Sequence, residues 1–389
     1  MYYRLVVFGV KDTSENVIAY IHQRLSKVDL VITIAPSVTK KNQVSGYKGL
    51  SFLTEKYGIP VFEADSYRLT DAKTQEFLRG NTFGIGIVSG WQRLIPEPVL
   101  DSFRYGIFGF HGNAGYLPFG RGRSPLNWSM IVGDTRFNLN LFRYDKKADS
   151  PNVFATGTFS INEHDDIRTA QYKNTIVSQQ LIARLTAALS EAEKSGGEIP
   201  IRTDSRDFDC WYPKRTPADG RIDWHDRTRN IYNLIRGVAA PFPGAFCCMR
   251  SKELPASAQE SSQESAQGST QQSAGEDLPA ALPGTAETAS YNRVYNLCSN
   301  PADKPGYNPV SVPERCGKNE ADEADNGTDA RVTIWEAHPF DDRIDFSAFA
   351  PGEVIDIFDG KLIVRTVDGS MRIDRFECSR GIVPGDILY

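Results

Sequence analysis

Several features are missing from this 389-residue chain, and each absence removes a class of function. No stretch approaches the ~20 consecutive apolar residues that a membrane-spanning helix needs, and the opening MYYRLVVFGVKDTSENV has no cleavable apolar segment. A cytoplasmic location is therefore expected. The six cysteines (Cys210, Cys247, Cys248, Cys298, Cys316, Cys378) form no C-x-x-C pair and have no histidine at ligand spacing. This argues against a zinc site or a dense disulfide framework, and reduced thiols and no metal are expected. The turn after the first apolar run, GVKDTSE, lacks G-x-G-x-x-G, so a dinucleotide fingerprint is absent. Nor is there an excess of positive charge: 44 Lys and Arg stand against 49 Asp and Glu, a formal net charge of -5. Nothing in that balance calls for a nucleic-acid partner.

What is present is ordinary globular sequence. Apolar residues make up 40% and charged residues 24%, enough to build a sizeable core. At roughly 150 residues per domain the length suggests about two to three domains. The first hundred residues alternate short apolar runs (RLVVFGV at 4–10, LVITIA at 30–35, IPVFEAD at 59–65, FGIGIVSGW at 83–91) with amphipathic stretches near 16–25, 50–57 and 71–78. Strand and helix in alternation predict a doubly wound, mostly parallel α/β sheet. From Asn162 to Glu193 the apolar residues Ile176, Leu181, Ile182, Leu185 and Leu189 predict a helix that Gly196 and Gly197 end.

Composition then changes. PASAQESSQESAQGSTQQSAGED (255–277) has no aromatic and no β-branched apolar residue, and such a segment cannot offset its ordering entropy by burial. A largely disordered, low-complexity insert is expected over 251–330, with Tyr291, Val294, Tyr295 and Leu297 as its one apolar cluster. Beyond it, three short β-type runs with Asp359-Gly360 and Asp368-Gly369 as turn dipeptides predict an antiparallel, β-barrel-like module over 331–389. The expected organisation is a catalytic domain at 1–250, the insert at 251–330 and the small module at 331–389. That module holds seven Lys or Arg and eleven Asp or Glu, a poor clamp for a phosphate backbone.

The most unusual segment is FGFHGNAGYLPFGRGRSPLNW (108–128), a predicted strand that runs through His111 and Asn113 into a Gly- and Pro-rich loop. Such a strand end is where α/β sheets place ligands. Leu117, Pro118, Arg121, Gly122, Pro125, Asn127 and Trp128 fit, in spacing, the approximate pattern N-x-H-x-S-L-L-P-x-x-R-G-x-x-P-x-N-W. With SGWQRLIP (89–96), FRYDKKADSPNV (142–153) and YPKRTPADGRIDWHDRTRNIYNLIRGVAAPFPGAF (212–246), four blocks in order resemble the formyltransferases that use 10-formyltetrahydrofolate. The last block is most similar to enzymes acting on nucleotide-linked amino sugars, and the terminal module resembles the second domain of methionyl-tRNA formyltransferase and some sugar formyltransferases.

The resemblance implies an N-formyltransferase with His111, Asn113 and Asp149 as catalytic residues. It places Gly90, Trp91, Leu94, Ile95, Tyr116, Leu117 and Arg121 beside the 10-formyltetrahydrofolate donor. One departure stands out. Aligning His111 with the family's histidine puts Gly109 where an Asn is expected and adds two residues before Pro118, whereas the ungapped register puts His111 under that Asn and Asn113 under the His. The gapped register is preferred because only an imidazole accepts an amine proton, and Asn113 is then a candidate for the missing amide. After Asp149 come Pro151 and Asn152 in place of the family's usual residues.

The expected acceptor is the primary amine of a small molecule, a nucleotide-linked amino sugar, with no nucleic acid or membrane partner. A homodimer is left open. The alternatives are a methionyl-tRNA formyltransferase-like enzyme, which the acidic module disfavours, a folate-binding protein without transferase activity, and hydrolysis of the formyl donor.

Overall fold

The computed structural model describes residues 1–42, 44, 47–203, 211–251 and 329–389. Its chain divides into two compact units, the first built from Met1–Met130 and Asp134–Arg215, the second from Ile131–Gly133 and the described residues from Thr216 onward. The expected boundary at residue 250 falls inside the second unit. The expected insert lies outside the described residues except at 251, 329 and 330.

In the first unit, β1 (Tyr2–Gly9), α1 (Asp12–Arg24), β2 (Leu30–Ile34), α2 (Pro36–Asn42), α3 (Leu53–Tyr57), β3 (Val61–Ala64), α4 (Ala72–Arg79), β4 (Thr82–Ser89), α5 (Glu97–Leu100) and β5 (Ile107–Asn113) alternate along the chain. Next come β6 (Arg121–Gly122), α6 (Pro125–Val132), β7 (Arg136–Arg143), β8 (Asn152–Ser160), α7 (Ile167–Ser195), β9 (Arg202–Thr203) and β10 (Trp211–Tyr212). The main sheet has the order β3-β2-β1-β4-β5-β7-β8-β9. The first five strands are parallel, and the remaining pairings are antiparallel.

The apolar runs LVITI of β2 and LVVFG of β1 are buried along their length, the pattern of strands covered on both faces. Val6, Phe8, Leu30, Ile32 and Ile34 pack with Val38, Leu78 and Val99 of α2, α4 and α5. On the other face α1 touches β1, β4 and α7, and α7 covers β7 and β8. Order reverses between β1 and β4, and there Ser14 locks the turn: its Oγ accepts from the backbone of Val10 and Lys11 and donates to the Ser89 carbonyl at 2.6 Å.

Helix α7 starts five residues later than its apolar pattern predicts. Asp165 accepts from the Asn162 backbone at 2.8 Å and Asn162 accepts from that of His164 at 3.1 Å, so polar side chains hold these residues in a turn. The helix begins at Ile167 behind its N-cap Asp166, whose carboxylate accepts from the Thr169 N–H at 2.8 Å, and ends at Ser195 before its C-cap Gly196 with φ 66°. Loss of that cap in Asp166→Ala is expected to cost about 1 kcal/mol, read as a lower denaturant midpoint with an unchanged slope.

In the second unit a 3-10 turn (Pro217–Gly220) and α8 (Thr228–Val238) accompany β11 (Ala245–Arg250), β12 (Asp329–Pro339), β13 (Val354–Phe358), β14 (Lys361–Thr366), β15 (Gly369–Cys378) and β16 (Ile387–Leu388). The sheet, ordered β13-β14-β15-β12-β11-β16, is antiparallel throughout. An isolated bridge joins Glu353 to Ile387. Its core gathers Trp224, Ile231, Ile235, Val332, Ile334, Val364 and Ile373.

The Asp359-Gly360 turn forms as expected, with φ of 52° and 73°, the positive values that a tight hairpin requires. The second hairpin is shifted by one residue: Thr366 pairs with Gly369, so Val367 and Asp368 make the turn. Cys248 is disulfide-bonded, against the expectation of reduced thiols, whereas Cys247 and Cys378 are free. Burial pushes the Cys247 thiol up to about 12.

Candidate active site

The first unit contains a cleft of about 890 Å³, lined by the segment after β4, the end of β5, the loop after β6, and the segment after β7. This volume lies within the range of small-ligand sites. His111 sits on β5 and is 7% exposed. Its Nε2 is 2.7 Å from the Gly120 carbonyl. A carbonyl only accepts, so that nitrogen carries the proton. The remaining nitrogen, Nδ1, faces Asp149 Oδ1 at 3.5 Å.

Asp149 is held from several sides. Its backbone has φ 47°, a left-handed conformation that aspartate tolerates better than most residues. Its second carboxylate oxygen accepts from the Gly122 N–H at 3.1 Å. Gly122 is required there: with φ 102°, any Cβ would lie 2.4 Å from the Tyr212 carbonyl, and Tyr212 pairs with Gly122 through β10 and β6. The loop that presents Asp149 is wound around Asp145, which accepts from the Lys147 backbone at 2.7 Å, from the Ser150 hydroxyl and from Asn152 Nδ2 at 3.0 Å. The sequence reading missed Asp145, although its place two residues before Lys147 is that of an Asx turn. The departures at Pro151 and Asn152 thus leave the carboxylate in reach of the imidazole.

Asn113 takes a different place. It is fully buried, and its Nδ2 donates to the Phe119 carbonyl, so it braces the loop that carries Gly120 and does not line the cleft. Leu117 is also buried, in a cluster with Phe142 and Val153. The carbonyl of Tyr116 accepts from the Phe119 N–H at 2.9 Å, and the Arg121 guanidinium lies over the Trp211 ring at 5.5 Å. Gly90, with φ 74°, packs its backbone on Ser14. Of the residues expected beside the donor, Trp91, Leu94 and Ile95 line the cleft, and Gly90, Tyr116, Leu117 and Arg121 do not.

Trp91 meets Tyr67 edge to face at 5.0 Å. Burial raises the Tyr67 phenol, whose oxygen accepts from the Gln92 backbone at 3.0 Å. Leu94 is 64% exposed at the lip. The cleft also carries Arg93, Arg123, Lys147, Lys214 and Arg215 against Asp145 and Asp149, a local positive excess that total charge conceals. Burial leaves Lys11 below its ordinary value, with Arg123 adding to the shift and Asp12 opposing it. Among the described residues no three His, Cys, Asp or Glu gather closely enough to hold a metal ion, and no helix is long and apolar enough to cross a membrane.

Residues 214–301 match the family described as formyl transferase, C-terminal domain. Among solved structures, the chain is similar to an N-formyltransferase from Helicobacter canadensis in complex with folinic acid and dTDP-3-aminofucose, at 12% identity and TM-score 0.52 over 96% of this chain and 99% of that one. It is also similar to WlaRD, a sugar 3N-formyl transferase solved with dTDP and 5-N-formyl-THF, at 11% identity and TM-score 0.51 over 98% and 99%. HypX from Aquifex aeolicus, in complex with tetrahydrofolic acid, gives 16% identity and TM-score 0.49 over 98% of this chain, which spans 45% of HypX. These likenesses concern the fold. The family match is confined to residues 214–301, the segment similar to a formyl transferase C-terminal domain.

Proposed function

We propose that the chain is an N-formyltransferase that moves the formyl group of 10-formyltetrahydrofolate to the primary amine of a nucleotide-linked amino sugar. The observation that carries this reading is the His111–Asp149 pair at 3.5 Å on the wall of the cleft. Trp91, Ile95 and Leu94 offer an apolar and aromatic wall suited to the flat rings of a folate. Arg123, Lys214 and Arg215 offer positive charge to the diphosphate of a nucleotide-linked acceptor.

The chemistry is acyl transfer. The neutral amine attacks the formyl carbon, the C=O electron pair moves onto oxygen, and the tetrahedral intermediate collapses as the bond to folate N10 breaks. The amine must lose a proton and N10 must gain one. With Nε2 tied to Gly120, His111 Nδ1 is the position that takes up the proton and returns it. Asp149 stabilises the imidazolium formed in between. The Gly122 N–H holds the carboxylate in that orientation. In this reading Asn113 is a positioning residue, keeping the Gly120 carbonyl in place through Phe119.

The test is mass spectrometry of products after incubation with 10-formyltetrahydrofolate and a panel of nucleotide-linked 3-amino and 4-amino sugars, with charged methionyl-tRNA as a further acceptor. A mass gain of one formyl group on a sugar is expected. Formylation of the tRNA, with retention that weakens as salt rises, would replace the acceptor. Binding of a folate analogue without transfer to any acceptor would overturn the enzymatic reading.

A further inference from the structure

We propose that the Tyr144 hydroxyl donates the hydrogen bond that receives the developing oxyanion during formyl transfer, from the place that the main strand leaves empty at Gly109. The inference deepens the formyl-transfer reading and rests on it.

Gly109 and His111 are two apart on β5, so their Cα–Cβ directions fall on the same face of the sheet. A Cβ built on Gly109 would lie 2.3 Å from the Tyr144 hydroxyl oxygen and 2.5 Å from ring carbons Cε1 and Cζ. The phenol thus fills the space that a side chain at 109 would use, one strand step from the imidazole. Glycine at 109 is what admits it.

Tyr144 lines the same cleft as His111 and Asp149. Its backbone N–H donates to the Ile107 carbonyl at 2.7 Å, and its ring packs on Phe142 with centroids 5.0 Å apart. The position of the hydroxyl is therefore set by covalent geometry and packing. That hydroxyl makes no hydrogen bond to any other described residue, although Asp149 is close enough to act on it electrostatically. Burial, and after it the Asp149 charge, raises the phenol above its ordinary value, so it keeps its proton and remains a donor.

The competing amide is engaged elsewhere, since Asn113 Nδ2 donates to the Phe119 carbonyl. When the amine attacks, the formyl oxygen gains a full lone pair and needs a donor. The Tyr144 O–H meets that need without transferring its proton, so the atom and proton balance of the step is unchanged.

Tyr144→Phe keeps the ring and removes the donor. Its kcat is expected to fall by about 10²- to 10³-fold, the scale of one lost oxyanion donor. The KM values for donor and acceptor should hold, because the interaction belongs to the transition state. Gly109→Ala approaches the same group from the strand: its Cβ displaces the hydroxyl, so kcat should fall again. Combining it with Tyr144→Phe should give less than the product of the two effects.

A wild-type kcat in Tyr144→Phe, while the wild-type protein formylates a sugar, would overturn the inference and leave the parent reading intact. A rise in KM at constant kcat would overturn it too, because Tyr144 would then be only a wall of the pocket. Absence of transfer by the wild-type protein on every acceptor would overturn both. Thermal melting and folate-analogue binding of each variant establish that the cleft is still formed.

Discussion

His111→Ala is expected to lower kcat by roughly 10²- to 10⁴-fold, the contribution of a positioned general acid–base group, while folate-analogue affinity stays near wild type. The imidazole is held between two acceptors, the Gly120 carbonyl and the Asp149 carboxylate, so its removal takes away the one group placed to pick up the amine proton. A kcat unchanged in the variant would remove His111 from the mechanism. Added imidazole should restore part of the rate if the space vacated remains open.

Asp149→Asn should be as damaging, roughly 10⁴-fold in kcat, for a reason that involves no lost volume. An amide oxygen can still accept from the Gly122 N–H, now 3.1 Å from the carboxylate, which turns the NH₂ toward His111 Nδ1. That nitrogen then accepts a hydrogen bond where it should take up a proton, and an imidazolium would meet a donor in place of an acceptor. An imidazole kept in the wrong protonation pattern at an acyl-transfer site loses activity on this scale. The expected signature is a collapse of kcat with melting temperature and donor binding unchanged. Activity comparable to wild type would show that the carboxylate plays no part in the proton transfer.

The sequence was most legible where a single physical rule dominates. Strands β1 and β2 are continuous apolar runs because both faces are covered, and such runs stand out against amphipathic helices. Strand β7 does carry a signal that was overlooked: Phe137, Leu139 and Leu141 alternate with Asn138 and Asn140, whose side chains are satisfied across the ladder by Thr158 and Thr156 of β8 at 2.8 Å.

The site follows the same division. His111 and Asp149 could be named because motif spacing carries them, and the structure brings them together. Asn113 shares the strand face of His111, yet the loop after β5 folds back over it so closely that a Cβ added at Gly120 would lie 2.7 Å from the Asn113 Cβ. No linear pattern tells which side of a loop a residue takes. Leu117 and Arg121 are turned away from the cleft by the same loop, one into the core and the other onto Trp211. Lys214, Arg215 and Tyr144 escaped notice although they lie in the matched blocks 212–246 and 142–153, because spacing does not tell which side chains of a block reach the cleft.

The short pairing of β6 with β10 sets how firmly the site is held. Trp211 and Tyr212 are joined to Arg121 and Gly122 by two residue pairs, and the Gly122 N–H is the donor that orients Asp149. Releasing residues 211–212 would therefore take away the strand partner of Gly122 and leave Asp149 to the loop wound around Asp145.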